Sequence, residues 1–322
     1  MAATLADLYN DNSSKLAAFG LVASAYVLCK FMWTVGRGIA TYFVGPALGL
    51  SADLKKAGAW AVVTGCTDGI GKAYAFQIAK KGVNVVLISR TQSKLDELAK
   101  EIETKYQVQT CTIAADFTDC SKIYDKIRDA IKGLEIGTLV NNVGMALPYP
   151  EYFVELPDRD QILQNMIHVN MSSVTMMTSL ILPDMVQRRR GYVINIASGA
   201  AEQPLPLFNI YSATKIYVDY LSKSLHEEVH GKGVTVQVVR PNFVATKLSG
   251  IRKTNLITPS PNTFVSSALA TLGLSTSTNG YWIHAVQSYV VSWVVSMKAA
   301  HFLFLRIRKA ALKRIARKNK GN

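Results

Sequence analysis

Between Ala59 and Val239 six short β-branched runs alternate with amphipathic helical stretches: Trp60–Thr64, Val83–Ser89, Thr110–Ala114, Thr138–Val140, Tyr192–Ala197 and Val234–Val239. Runs that are apolar throughout, rather than at every second residue, belong to strands covered on both faces, and parallel strands need a crossover between them. The pattern predicts an α/β domain built on one doubly wound parallel sheet. No internal repeat, linker or low-complexity stretch interrupts it, and one domain accounts for the middle of the 322-residue chain.

The first of these strands ends in Thr64-Gly65-Cys66-Thr67-Asp68-Gly69-Ile70-Gly71 and passes directly into a helix predicted over Lys72–Lys80. Strand, glycine turn and helix together let backbone N–H groups and a helix N-terminus hold a pyrophosphate. A glycine triplet alone is equally a tight turn; its place between strand and helix favours a Rossmann-like dinucleotide site at Gly65, Thr67, Asp68, Gly69, Ile70 and Gly71. Folds of this kind that take NAD end the second strand in Asp or Glu, which accepts hydrogen bonds from the ribose. Here that strand ends in Ser89-Arg90. A guanidinium suits a 2′-phosphate, with Lys94 in support, so NADP(H) is the expected cofactor. The plain reading of Arg90 is a cation at a helix start.

Tyr211-Ser212-Ala213-Thr214-Lys215 opens another helical stretch, which puts Tyr211 and Lys215 on one face. Ser198 follows the strand Tyr192–Ala197, at the sheet edge where such folds bind ligands. A carbonyl receiving hydride develops alkoxide character and needs a proton donor and a hydrogen-bond partner. Tyrosine, with a free pKa near 10, serves at neutral pH only if a cation stabilises its phenolate. Lys215 and the oxidised nicotinamide both suit that role, and Ser198 is placed to hold the substrate oxygen. Singly these residues say little, since YxxxK arises by chance and a serine after a strand is often a cap. The order glycine loop, Ser198, Tyr211, Lys215 is far more specific.

On these motifs, together with Asp116, Asn141-Asn142-Val143-Gly144, Asn170 and Pro241 through Thr246, the stretch from Lys56 to Gly280 resembles the short-chain dehydrogenase/reductase family. The resemblance implies that Asp116 contacts adenine and that Asn142, Val143 and Gly144 line the cofactor. It implies that Asn170 positions a water linking Lys215 to solvent, and that Val244 and Thr246 border the nicotinamide. Structural alternatives stand beside these roles: Asn141 and Asn142 as ties between strands, and Asp116 as a helix cap. Leu134-Glu135-Ile136-Gly137, NNVGMALPYPEYF (Asn141–Phe153), ATKLSGIRK (Ala245–Lys253), PSPNTFVSSA (Pro259–Ala268) and TNGYWIHA (Thr278–Ala285) are similar to one branch of that family, the 17β-hydroxysteroid dehydrogenase type 12/very-long-chain 3-oxoacyl-CoA reductase group. That resemblance implies NADPH-dependent reduction of a long-chain 3-oxoacyl-CoA in fatty-acid elongation, with a 17-ketosteroid as the alternative substrate. Lys247, Arg252 and Lys253 are placed to meet the CoA phosphates that a steroid lacks. A non-catalytic membrane scaffold is the reading from another class, and the intact Ser198, Tyr211 and Lys215 count against it. Association with other elongation enzymes, and a homodimer through the helices after Asn165 and Tyr211, are expected partners.

The two ends lie outside this domain. From Leu16 to Val35 the chain is apolar apart from Lys30 and a few small polar residues, and an uncharged run continues over Gly38–Leu50. About twenty residues cross a bilayer. Asp7 and Asp11 in the leader disfavour a cleaved signal peptide, so residues 1–50 read as a retained anchor rather than a buried helix. Arg37, Lys55 and Lys56 after the run put the domain, residues 51–280, on the cytosolic side. Residues 281–322 form an extension: Tyr281–Val295 is a re-entrant, interfacial or hairpin segment, or core and dimer surface. The tail from Arg306 to Asn322 carries eight cations and no acid, more than half of the chain's net +14. Cations beyond an apolar segment, with no aromatic–basic motifs in the sheet, suit a membrane surface and not nucleic acid. Lys318-Asn319-Lys320-Gly321-Asn322 matches a K-x-K-x-x retrieval pattern, which points to the endoplasmic reticulum membrane. The four cysteines show no metal or disulfide spacing. Asn12 opens a sequon expected to be unused, and Asn170, in a second one, is expected to be buried.

Overall fold

A computed structural model describes residues 5–119, 123–294 and 296–320 of the chain. Its sheet comprises β1 (Trp60–Thr64), β2 (Asn84–Ser89), β3 (Thr110–Ala114), β4 (Ile136–Asn141), β5 (Gly191–Ile196), β6 (Val234–Val239) and β7 (Ser277–Thr278). The strand order is β3-β2-β1-β4-β5-β6-β7 and every pairing is parallel. The order reverses between β1 and β4, and ligands of such sheets bind at the strands' carboxyl ends beside that point.

The helices are α1 (Leu5–Ile39), α2 (Gly69–Lys80), α3 (Gln92–Tyr106), α4 (Ile123–Ile131), α5 (Arg159–Ile167), α6 (Ser173–Gln187), α7 (Asn209–Val229), α8 (Pro261–Ala270), α9 (Trp282–Val294) and α10 (Met297–Lys320). Successive strand side chains point to opposite faces. Ala61 and Val63 accordingly join a core with α2, α3 and α8, through residues such as Ile78, Leu95 and Val265. Val62 joins the opposite core with α4 and α6, through Ile127, Met177 and Ile181. Along α7, Val218 packs on Ala197 and Val238.

Three differences from the sequence reading have local causes. Helix α2 begins at Gly69, not Lys72, because the Asp68 carboxylate accepts the Gly69 N–H at 2.7 Å and starts the helix within the glycine motif. Strand β4 begins at Ile136 because Gly137 passes backbone to backbone against Gly58, where a Cβ on either glycine would overlap the other segment. Strand β7 has two residues, too short to leave a pattern, and pairs with the end of β6.

Ser13–Ala47 is long and apolar enough to cross a membrane, and its most apolar stretch is unburied. Its lower end is docked: the Tyr42 hydroxyl is 2.8 Å from Thr278 Oγ1 and accepts the Asn279 N–H at 3.1 Å. Phe43 packs on Trp282 and Phe31 on Tyr289, both in α9. Helices α9 and α10 meet at 117°. The retrieval-like pattern reaches Gly321 and Asn322, which lie outside the described residues, as does Cys120.

Candidate active site

At the end of β1 the chain turns through Gly65 and Gly69, whose φ angles of 64° and 54° favour glycine. A Cβ at Gly71 would overlap the Gly65 carbonyl and the Asn142 side-chain amide. That amide donates to the Thr64 and Gly65 carbonyls at 3.0 and 3.1 Å, and Thr64 Oγ1 accepts from the N–H groups of Asn142 and Val143 at 3.0 and 3.1 Å. The glycine loop and Asn142–Gly144 are thus stitched together across the β1–β4 switch point. Thr67 Oγ1 lies 2.9 Å from Ser89 Oγ, tying the loop to the end of β2. Ile70 packs on the core under α2. Asp68 pairs with Lys247 at 2.8 Å. Partial burial pushes its carboxyl up, but Lys247, the Gly69 N–H and Lys94 outweigh this and hold it below the usual carboxylate range.

Arg90 follows β2 directly and is exposed. Among the described residues no ion pair engages Arg90 or Lys94. Asp116 is exposed beyond β3, and its Oδ1 accepts from the Thr118 N–H and hydroxyl at 3.0 and 2.9 Å. That is a local turn, so Asp116 has a structural task whatever else it contacts.

Ser198 caps a single turn, Gly199–Ala201, accepting the Ala200 N–H at 3.1 Å. Its side chain lies near the hydroxyl of Tyr211, in the first turn of α7. Lys215, one turn on, donates to the Ile196 carbonyl at 3.2 Å, with its Nζ 5.8 Å from the centre of the Tyr211 ring. Burial pushes the Tyr211 phenol up, and the nearby Ser198 hydroxyl opposes this. Burial pushes the Lys215 ammonium down to about 8. Asn170 sits in a π-helical turn, His168–Ser172, between α5 and α6. Such single turns recur at functional sites. Its side chain accepts the Met145 N–H at 2.8 Å and donates to the Met145 carbonyl and Thr214 Oγ1 at 2.9 and 3.1 Å. A Cβ on Gly144 would lie 3.4 Å from both Asn170 Oδ1 and Lys215 Nζ, so the three positions converge.

The segment after β6 closes the site. Thr246 abuts the glycine loop, 3.1 Å from where a Gly69 Cβ would be, while buried Val244 turns its carbonyl to Ser249 Oγ at 2.7 Å. Lys247 is exposed but paired with Asp68, and Arg252 and Lys253 are the loop's other exposed cations. The sequence reading missed how this loop is held. His284, fully buried in α9, accepts the Asn242 N–H at Nδ1 and so carries its proton on Nε2, which donates to the Ile257 carbonyl at 3.2 Å. It also missed the apolar wall beside Tyr211: Leu147, Leu156 and Met166, packed with Phe208 and Ile210. Cys66 is buried, its thiol pushed up to about 12 by desolvation, and is chemically quiet.

The glycine cradle, the stitched Asn142–Gly144 segment and an unpaired guanidinium past β2 fit a nicotinamide dinucleotide laid across the switch point. The phenol–serine–lysine set can hold and transfer a proton at its inner end.

Comparison with known proteins agrees with this arrangement. The short chain dehydrogenase family matches residues 59–256. The very-long-chain 3-oxoacyl-CoA reductase of Homo sapiens is 52% identical over 268 residues, 83% of this chain and 85% of that protein. Among solved structures, a 7beta-hydroxysteroid dehydrogenase shares the fold with a TM-score of 0.70 at 24% identity, covering 78% of this chain and 98% of the other. A short-chain dehydrogenase from Sphingobium yanoikuyae in complex with NADPH aligns with a TM-score of 0.58 at 25% identity over 82% and 95% of the two chains. Sheet order, glycine loop and relatives converge: this chain belongs to the short-chain dehydrogenase family of NAD(P)-dependent oxidoreductases.

Proposed function

We propose that this enzyme reduces very-long-chain 3-oxoacyl-CoA to the 3-hydroxy product with NADPH, at the endoplasmic reticulum membrane and on its cytosolic side. The observation that carries the reading is the Ser198–Tyr211–Lys215 set at the carboxyl edge of the sheet, with Lys215 buried behind a half-buried serine and phenol. The 52% identity to a reductase of that name supports the substrate class.

Residues Gly65, Thr67, Asp68, Gly69, Ile70 and Gly71, with Asn142, Val143, Gly144, Val244 and Thr246, hold the dinucleotide. Arg90 and Lys94 meet its 2′-phosphate, which no carboxylate at the end of β2 opposes. When bound, the nicotinamide supplies the hydride. Tyr211 delivers the proton to the substrate oxygen, and Ser198 donates a hydrogen bond to that oxygen as negative charge builds on it. Lys215 stabilises the phenolate left behind. Asn170 fixes the Met145 backbone beside Lys215 and positions the water through which the proton is replaced. The apolar helix Ser13–Ala47 anchors the domain, and the retained Tyr42 contact sets it close to the bilayer.

The test is NADPH oxidation by membranes containing this protein, with a long-chain 3-oxoacyl-CoA and estrone compared directly. Turnover of the acyl-CoA that disappears in Tyr211→Phe is the expected result. Preference for estrone, or undiminished turnover in Tyr211→Phe, would overturn the assignment.

A further inference from the structure

Helix α10 does not trail away from the body: its first half is pinned across the active-site side. Ala300 is buried, and the Phe304 ring packs 5.3 Å from that of Phe208, which packs 6.2 Å from the ring of Tyr211. One turn on, the Arg308 guanidinium forks between two carboxylates, Nε to Glu151 and Nη2 to Glu155, each at 2.5 Å, and lies over the Tyr152 ring at 5.0 Å.

This is not an ordinary surface pair. The Glu151 side chain is only 7% exposed, and the Tyr152 N–H also donates to it at 2.8 Å. Removing the guanidinium would strand a buried carboxylate, which is far more disruptive than losing an exposed ion pair. The opposite face of the helix has a different character. At 3.6 residues per turn, Ala300, Phe304 and Arg308 share the inner side, while Arg306, Lys309, Lys313 and Arg317 fall outward and are exposed. The outward cations suit an anionic lipid surface. The inner residues face the protein's own body, where Leu147, Leu156, Phe208 and Ile210 form an apolar wall beside Tyr211.

We propose that Arg308 is a positioning residue for long acyl substrates: it latches α10 across the entrance so that Phe304 completes the apolar wall along which the acyl chain lies. The inference rests on the acyl-CoA reading above. A short acyl chain does not reach Phe304 and gains nothing from the latch, whereas a long chain loses apolar contact when the helix lifts. The latch therefore acts on KM for long substrates and leaves the proton-transfer step alone.

The experiment uses the full-length protein in vesicles of phosphatidylcholine and phosphatidylserine, with NADPH and either acetoacetyl-CoA or an eighteen-carbon 3-oxoacyl-CoA. Arg308→Ala should raise KM for the long substrate about tenfold, with kcat and the acetoacetyl-CoA constants nearly unchanged. Phe304→Ala should act in the same direction, and Arg308→Lys, which can hold one carboxylate, should restore part of the loss. Arg306→Ala, on the outward face, should change neither substrate. An equal KM increase for both substrates would mean that Arg308 binds CoA phosphates instead, and equal effects of Arg306→Ala and Arg308→Ala would reduce it to general surface charge. Either result overturns the latch. Failure of the wild-type protein to reduce either substrate would overturn the acyl-CoA reading itself, a distinct outcome.

Discussion

The Lys215 ammonium lies 5.8 Å from the centre of the Tyr211 ring, one turn farther along α7, and is anchored by the Ile196 carbonyl at the end of β5. The helix fixes the spacing and the strand fixes the direction, so the cation is held beside the phenol before any substrate arrives. Such preorganisation lets a fixed charge act at the moment of reaction without reorganisation.

This pairing gives activity and stability opposite responses to alkali. In the proposed mechanism reduction requires a protonated Tyr211, which burial favours, and a charged Lys215, which burial disfavours. The rate should therefore fall as pH rises through about 8, where Lys215 loses its proton. Folding responds the other way. The folded chain holds Lys215 below its ordinary 10.5, so between about 8 and 10.5 the unfolded state binds more protons and this group adds stability as pH rises. Above pH 10 the raised Tyr211 begins to act in the opposite sense. Thermal unfolding of the cofactor-free protein at pH 7.5 and 9.5 tests this, and Lys215→Met should abolish the gain attributed to the lysine.

In the proposed reading Arg90 selects the dinucleotide by meeting its 2′-phosphate. Arg90→Asp replaces a phosphate partner with a ribose partner, and should raise KM for NADPH about a hundredfold while improving use of NADH. Steady-state kinetics with both cofactors checks this, and an unchanged NADPH constant would assign the 2′-phosphate to other cations.

Gly71→Ala should be disproportionately damaging for a single methyl group. The added carbon has no room between the Gly65 carbonyl and the Asn142 amide, both of which are fixed by the loop's own hydrogen bonds. A cost of about 1–3 kcal/mol is expected from such overpacking, with weakened dinucleotide binding. Thermal unfolding with and without NADPH measures both, and a variant with wild-type Tm and affinity would show that the loop opens more easily than its contacts suggest.

The residues legible in sequence are those whose chemistry is bound to local backbone geometry. Gly65 through Gly71 announce a strand–turn–helix, and Tyr211 and Lys215 share a helix face by spacing alone. Arg90 is informative because the end of β2 is a fixed place in the fold. What was hidden joins distant segments through side chains. Gly58 and Gly137 are glycines because two backbones cross there, and Glu151 meets Arg308 across 157 positions. No periodicity marks either contact. His284 stood within a stretch that resembled a family branch, yet nothing local indicated that its two ring nitrogens tie Asn242 to Ile257.

That tie predicts a positioning effect distinct from acid–base chemistry. His284→Ala would free the Ile257 end and weaken the Asn242 end, whose side chain still reaches the residue 284 carbonyl, Gln287 and Ser288, of a segment that carries Val244, Thr246, Arg252 and Lys253. KM for acyl-CoA should rise several-fold and the segment should become sensitive to proteolysis, while the pH profile set by Lys215 keeps its midpoint. A shifted midpoint would instead place His284 in the proton path.

The anchor and the tail should separate when the first is removed. Deleting residues 1–35 takes away most of the apolar helix and one peripheral ring contact, Phe31 on Tyr289, but leaves the main dock intact: Tyr42 bonded to Thr278 and Asn279, and Phe43 packed on Trp282. The body should therefore keep its Tm, whereas deletion of residues 1–47 removes those contacts from the edge of β7 and should lower it. Both truncated proteins retain Arg306, Lys309, Lys313, Arg314 and Arg317 on α10. Each cation near an anionic surface contributes about 1 kcal/mol, and the attraction is screened within about 8 Å at physiological ionic strength. The truncated proteins should accordingly leave neutral vesicles but co-sediment with phosphatidylserine vesicles, and be released by high salt. Retention on neutral vesicles would mean that α9 inserts as a second apolar anchor. Loss from both kinds would confine membrane attachment to the N-terminal helix.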